Sequence, residues 1–329
     1  MTSSLSGPAL VLLDHHEGRL RPPVAELVTA ARQLGVDVHG IWFGDGVEGA
    51  RPAIGQAGIS VVYRIGGGAA GAVPLAPVGV LAQAVAELAV EHHASLVLLT
   101  STFENKEIAA RVGAATGAGV VVDAGLLCVD DGRVVADKSV FAGTWNTRCA
   151  ITTELAVVAV KANALHAHDA DVPTTPEVVD VVLPVGDPAR AVTVVERIAR
   201  PASNRPELGE ADVVIAGGRG TNGDFSAIEE LADLLGAGVG ATRVATDEGW
   251  IDHGAQIGQT GVTVAPRLYI GAGVSGAVHH RGGMQSAGVI VAVNSDPEAP
   301  IFEIADFGIV GDLFTVLPQA TAEIRALKA

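Results

Sequence analysis

Short apolar runs alternate with longer Ala-, Leu- and Glu-rich stretches from almost the first residue of the chain. "ALVLLD" (9–14) is apolar with no polar alternate until its end, as in a strand covered on both faces. "PPVAELVTAARQLG" (22–35) has helical spacing, opened by proline and closed by glycine. The same reading gives a strand at 36–44, a helix at 78–93, a buried strand at 94–101 ("ASLVLLTS"), a helix at 105–119 and a strand within 154–165. Residues 120–152 have the pattern of strands joined by tight turns, and 166–188, rich in Asp, Pro and Thr, suit surface connections. The alternation restarts with "ADVVIAGGRG" (211–220), a helix at 225–235, and apolar runs at 268–270 and 288–294.

Strand and helix in turn predict an α/β chain with two parallel-sheet, Rossmann-like domains. The boundary falls near 195–205, giving domains 1–198 and 199–329. A length of 329 residues is comfortable for two domains. Hydrophobic residues make up 49% and aromatics only 4%, so the core is built of Ala, Val, Leu and Ile. No stretch approaches the ~20 apolar residues of a membrane span. The N-terminus "MTSSLSGPALVLLDHH" lacks a basic region before its apolar run and reads as a first strand, so a soluble, cytoplasmic protein is expected.

The net charge of −16 argues against nucleic acid as a partner and suits docking onto a basic protein patch. Two cysteines, Cys128 and Cys149, provide neither a disulfide framework nor a thiolate metal cluster. The histidines lack metal-ligand spacing, and neither a Gly-x-Ser-x-Gly elbow nor a Walker loop is present.

Chemistry concentrates in the second half, where small-residue loops follow apolar runs: Gly217, Gly218, Arg219 and Gly220; Thr242 and Arg243; Gly258, Gln259, Thr260 and Gly261. Glycine-loop N–H groups together with two arginines make an anion site suited to phosphate. In "LYIGAGVSGAVHH" (268–280), Gly271, Gly273 and Gly276 spell Gly-x-Gly-x-x-Gly after a strand, a dinucleotide fingerprint. An NAD site wants an acid at the end of the next strand, where this chain has Asn294, with Asp296 nearby. An NAD-dependent oxidoreductase therefore stays open as an alternative, as does a nucleotide-binding module confined to the first domain. Of His279 and His280, either one faces solvent and the other packs, or one imidazole points at the bound ligand.

The stretches "RPEL", "GGRG", "GVGATR", "IGQTG", "APRLYIGAGVSGAVHH" and "VIVAVNSDPEAPIFEIADFGIVGDLFTVLP" resemble the α subunit of electron transfer flavoprotein, closely over 200–320. The first domain agrees more weakly, through "LVLLDHHEGRLRPPVAELVTAARQLG" and "FAGTWNT". The resemblance implies an electron carrier without a small-molecule substrate of its own. It also implies FAD in the C-terminal domain and a heterodimer with a β subunit contacted by the N-terminal one. Electrons would come from acyl-CoA and related dehydrogenases of fatty acid β-oxidation and pass to a membrane quinone oxidoreductase or other acceptor. Arg219, Thr242, Ser275, Asn294 and Asp312 would lie along the pyrophosphate and adenosine of FAD, with Gly273 and Gly276 in the fingerprint loop. Arg243, Gln259, Thr260 and His280 would surround the isoalloxazine, with Thr260 near N5 and His280 near the C2 carbonyl. His279 and Thr242 stand where the family often has Gln and Ser, and Ser295 replaces a frequent Lys.

Overall fold

The structure, a computed structural model, describes residues 5–66, 77–141, 143–182, 191–196 and 204–328. The chain forms two units, Met1–Lys138 with Thr147–Arg200, and Ser139–Asn146 with Pro201–Ala329. The boundary expected between 198 and 199 lies outside the described residues.

Elements up to residue 181 run β1 (Ala9–Leu12), β2 (His15–His16), β3 (Arg19–Leu20), α1 (Pro22–Gln33), β4 (Val38–Phe43), α2 (Val47–Ala57), β5 (Val61–Ile65), α3 (Val78–Glu91), β6 (Leu96–Thr100), α4 (Phe103–Thr116), β7 (Gly119–Ala124), β8 (Leu127–Asp130), β9 (Arg133–Val140), β10 (Trp145–Ala150), β11 (Ala156–Val160) and β12 (Glu177–Val181). Seven strands make a sheet in the order β12-β5-β4-β1-β6-β11-β7 with parallel pairings, and β10-β9-β8 form a separate small sheet. The apolar runs are continuous because helices cover both faces of the large sheet. Ala9 and Val11 point into one core with Val28 of α1 and Ile54 of α2, while Leu10 and Leu12 point into the other with Leu88 of α3 and Ile108 of α4.

Two findings differ from the sequence expectations. The stretch expected to be surface connection, 166–188, contains β12, an edge strand in register with β5 from Glu177↔Val61 to Val181↔Ile65. Its half-exposed pattern, set among Pro and Asp, hides a strand that only one neighbour supports. Helix α2 and strand β5 are additional elements; α2 carries Pro52 within it and two glycines, which mask its period.

The second unit runs β13 (Val213–Gly217), α5 (Ser226–Leu235), β14 (Gly238–Ala241), α6 (Arg243–Asp247), β15 (Leu268–Ala272), α7 (Val278–Met284), β16 (Val289–Asn294), β17 (Phe307–Val310) and α8 (Leu313–Lys328). Its five strands are all parallel, in the order β14-β13-β15-β16-β17. The winding direction reverses between β13 and β15, so that switch point marks the crevice where a doubly wound sheet receives a ligand. Ile215 and Ile270 pack under α5 and α8; Val214 and Tyr269 face the opposite core with Met284 of α7. Among the described residues, no helix is long and apolar enough to cross a membrane.

Leu98 in β6 is fully buried between β1 and β11, opposite Val11 and Val158. Leu98→Ala leaves a cavity that neighbouring strands cannot close, and costs about 2–5 kcal/mol. Urea unfolding of the full chain, followed by far-UV circular dichroism, measures this loss.

Candidate functional site

All the sequence-nominated residues lie in the second unit, at or beyond the C-terminal ends of its strands. Gly218 and Gly273 follow the two strands that flank the switch point. A Cβ on Gly218 would sit 2.2 Å from the Gly273 carbonyl oxygen, so only glycine lets these loops meet. Two backbone hydrogen bonds close the meeting, Gly218 N–H to Ala272 O at 3.0 Å and Gly220 N–H to Gly273 O at 3.1 Å. Arg219 projects, exposed, from a short 3-10 turn that starts there.

One strand over, Gly217 stands opposite Ala241 in register, so Thr242 and Arg243 leave the sheet beside Arg219's turn. Thr242 precedes α6, and its hydroxyl is buried without a hydrogen-bond partner. Arg243 has a side chain 70% exposed and, among the described residues, is held by its own helix through Asp247 at 3.1 Å. An orphaned hydroxyl next to an extended guanidinium is what a site for an anionic, hydrogen-bonding ligand requires.

The loop 256–262 completes this end. Ile257 N–H bonds to Ala241 O at 2.9 Å, tying the loop to the end of β14, and Val262 N–H bonds back to Gln256 O at 2.7 Å. The loop tip lies on α7: Gln259 N–H donates to His279 O at 3.0 Å, and Val264 N–H donates to Gly283 O at 2.8 Å. Thr260, exposed at the tip, accepts a hydrogen bond from the Gln256 amide at 3.0 Å. Gln256 itself is buried and reaches Thr246, a buried threonine of α6.

The two histidines separate cleanly. His279 is exposed, and its Nδ1–H donates to the Gln259 side chain at 2.9 Å. His280 is only 5% exposed. Its Nδ1–H donates to Ile257 O at 3.1 Å, since a carbonyl only accepts, and its Nε2 then accepts from the Tyr269 hydroxyl at 2.7 Å. Both ring nitrogens are thereby committed to protein, so a hydrogen bond from His280 to a ligand carbonyl, as expected near C2, has no N–H left to make it. Burial pushes the His280 pKa down to about 4, partly opposed by the Ile257 carbonyl, and burial raises that of Tyr269.

The remaining nominated residues line the other strand ends. Gly276 has φ +81° and packs against the Ile301 backbone, and Ser275 is exposed beside it. Asn294, ending β16, donates to Val274 O at 2.9 Å and accepts from Asp296 N–H at 3.0 Å, so its amide braces the fingerprint loop. Asp312 accepts from Phe314 N–H and from the Thr315 hydroxyl at the start of α8. Gln256, Thr246 and Tyr269 are hydrogen-bonded to these residues, and the sequence pattern did not single them out. Gln256 immediately precedes "IGQTG" (257–261), but nothing in spacing separates it from Gln259.

Residues 207–285 match the family model of the electron transfer flavoprotein FAD-binding domain, and residues 9–186 that of the electron transfer flavoprotein domain. The chain is 43% identical to the electron transfer flavoprotein subunit alpha of Mycobacterium leprae, over 97% of this chain and 99% of that one. The chain belongs to the electron transfer flavoprotein α-subunit family. The namesake subunit of Syntrophomonas wolfei is 34% identical over 96% of this chain and 98% of its own, and that of Pseudomonas aeruginosa is 36% identical over 94% and 97%. An electron-transfer flavoprotein is a carrier and not a substrate-converting enzyme, and its cofactor is FAD. The NAD-dependent alternative has no support among these relatives. The FAD-binding match contains Arg219, the Thr242–Arg243 step, the 256–262 loop and both histidines, the part of the fold with the orphaned Thr242 hydroxyl.

A group whose folded pKa is lowered binds fewer protons folded than unfolded, so stability is intact above the unfolded pKa and falls as pH drops through it. For His280 the window runs from about 6.5 down to about 4, and the full loss is roughly 3 kcal/mol. Urea unfolding at pH 7 and pH 4.5 will show a steeper fall for wild type than for His280→Asn, whose own packing loss is the same at both pH values.

Proposed function

We propose that this electron transfer flavoprotein α-type chain pairs with a β subunit and holds FAD across the strand ends of its second unit. Arg219, Thr242, Ser275, Asn294 and Asp312 follow the pyrophosphate and adenosine, with Gly273 and Gly276 letting the backbone come close. Arg243, Gln259 and Thr260 border the isoalloxazine, and His280 backs that end as a neutral ring pinning Ile257. The observation that carries this reading is the unpaired, buried Thr242 hydroxyl beside the outstretched Arg243, at the edge formed by the 256–262 loop. The flavin supplies electron acceptance and donation; the chain supplies position and charge.

Arg243 places a fixed positive charge where the reduced ring becomes negative, and a cation there favours the charged, reduced ring over the oxidised one. The 242–243 step and the 256–262 loop approach the ring from neighbouring elements, tied together by the Ile257 N–H to Ala241 O hydrogen bond. Acyl-CoA and related dehydrogenases are the proposed donors and a membrane quinone oxidoreductase the proposed acceptor. The acidic surface, with a formal charge of −16, suits both encounters if the partners present basic patches. The first unit is the proposed contact for the β subunit.

The chain co-produced with its β partner will be yellow, with an FAD absorption spectrum that persists through gel filtration. A colourless complex that takes up no added FAD defeats the reading. In Arg243→Ala the flavin midpoint potential falls, by the equivalent of ~1–3 kcal/mol; redox titration of wild type and variant measures the difference, and equal potentials remove Arg243 from the ring.

A further inference from the structure

Gln256 is buried, 8% exposed, and its amide lies between two hydroxyls: Thr246 Oγ1 is 3.1 Å from Oε1, and Thr260 Oγ1 is 3.0 Å from Nε2. Thr246 is 2% exposed and has a second acceptor, the Arg243 carbonyl, at 2.9 Å. Thr260 is exposed at the loop tip, and its proton has no acceptor among the described residues.

A hydroxyl carries one proton and also accepts, whereas the two ends of an amide have fixed and opposite roles. An amide caught between a carbonyl and a hydroxyl is locked one way round. Between two hydroxyls it is not. In one arrangement Thr246 gives its proton to Gln256 Oε1, the Gln256 amine donates to Thr260, and the Thr260 proton points out of the protein. In the other the amide is turned over: Thr246 gives its proton to the Arg243 carbonyl and accepts from the Gln256 amine. Oε1 then takes the proton of Thr260 and leaves the Thr260 lone pairs facing outward. The hydroxyls and the amide ends keep partners in both, and because the oxygen and nitrogen of an amide are nearly the same size, packing does not change.

We propose that Gln256 is the positioning residue of the flavin site, a reversible amide that lets Thr260 donate to the cofactor in one redox state and accept from it in the other. This rests on the reading above that the isoalloxazine faces Thr260. The ring nitrogen N5 accepts a hydrogen bond when the flavin is oxidised and bears a proton when it is fully reduced, so its partner must change sign. A threonine bonded only to water would simply rotate. Thr260 shares its hydroxyl with a buried amide, and turning the amide gives the Thr260 proton a protein acceptor when its lone pairs face the ring. Thr246, with a choice of two carbonyl-type acceptors, absorbs the change at the far end.

The test uses the complex with the β subunit and its FAD: reduced-minus-oxidised infrared difference spectra of wild type, Gln256→Met and Thr246→Val. Met matches Gln256 in size and leaves Thr246 bonded to Arg243 O, so no hydroxyl is orphaned in the core. The expected result is a side-chain amide carbonyl band pair in wild type that is lost in Gln256→Met and collapses in Thr246→Val, with FAD content unchanged in all three. If the FAD-loaded wild type and Gln256→Met give the same difference spectrum, the amide does not turn and the proposal falls, while the cofactor reading stands. Should Gln256→Met fail to fold, an unaltered band pair in Thr246→Val overturns the proposal equally. A wild-type complex without flavin removes the cofactor reading and this inference with it.

Discussion

The 256–262 loop is not a strand, yet its backbone is fixed as firmly as one. Ile257 N–H hangs it from Ala241 at the end of β14, Gln259 N–H hangs it from α7, and the buried His280 imidazole donates to Ile257 O from the same helix. Those three bonds determine where Thr260 and Gln259 stand relative to Thr242 and Arg243. The helix can come that close only because Gly283 has no side chain: a Cβ there would lie 2.4 Å from the Gly258 nitrogen. A larger residue at 283 would push α7 away from the loop, and every distance at this end of the site would change together.

His280 earns its rigidity from burial. A neutral imidazole with both nitrogens paired costs little to bury, but losing either partner leaves a polar atom orphaned, at about 1–3 kcal/mol. The Tyr269 hydroxyl, itself deep in the core, therefore belongs to the site although it is too deeply buried to meet a ligand. The same logic holds for Gln256, whose amide joins α6 to the loop tip. Polar groups in this part of the core occur as linked chains, His280 with Tyr269 and Gln256 with Thr246, and each chain ends at a backbone carbonyl or at the ligand-facing edge.

Much of this architecture is legible in the sequence because a strand buried on both faces leaves an unbroken apolar run. "ALVLLD", "ASLVLLTS", "ADVVIAGG" and "GVIVAVN" each contain a central parallel strand. β12 escaped because an edge strand has half its surroundings in solvent, and its sequence then looks like the loops around it. Within the site, residue type located the right loops but not the roles inside them. Gln256 and Gln259 are three positions apart and chemically identical; one is buried and the other exposed, a difference made by the Ala241 and Val262 backbone pairings. His279 and His280 are neighbours, and only the side of α7 that meets Tyr269 decides which of them packs. Nothing in a one-dimensional pattern carries that information, because it depends on a strand residue 11 positions upstream and a loop residue 23 positions upstream.

A net charge of −16 disfavours a cofactor that becomes negative on reduction, and screening limits the conflict. Exposed charges more than ~8–10 Å apart are largely screened at physiological salt, so the charges that count at the strand ends of the second unit are those close by, the Arg243–Asp247 pair among them. The charge at this edge is local: Arg219 and Arg243 stand beyond adjacent strands, and the histidine behind the 256–262 loop is kept uncharged by burial. The uncharged state matters for the geometry. A protonated His280 would have two donors and no acceptor, so the Tyr269 hydroxyl would have to turn to accept and its own proton would lose its acceptor in the core. Fixed positive charge at this site therefore comes from the arginines, while the histidine serves as a hinge pin that works only when neutral.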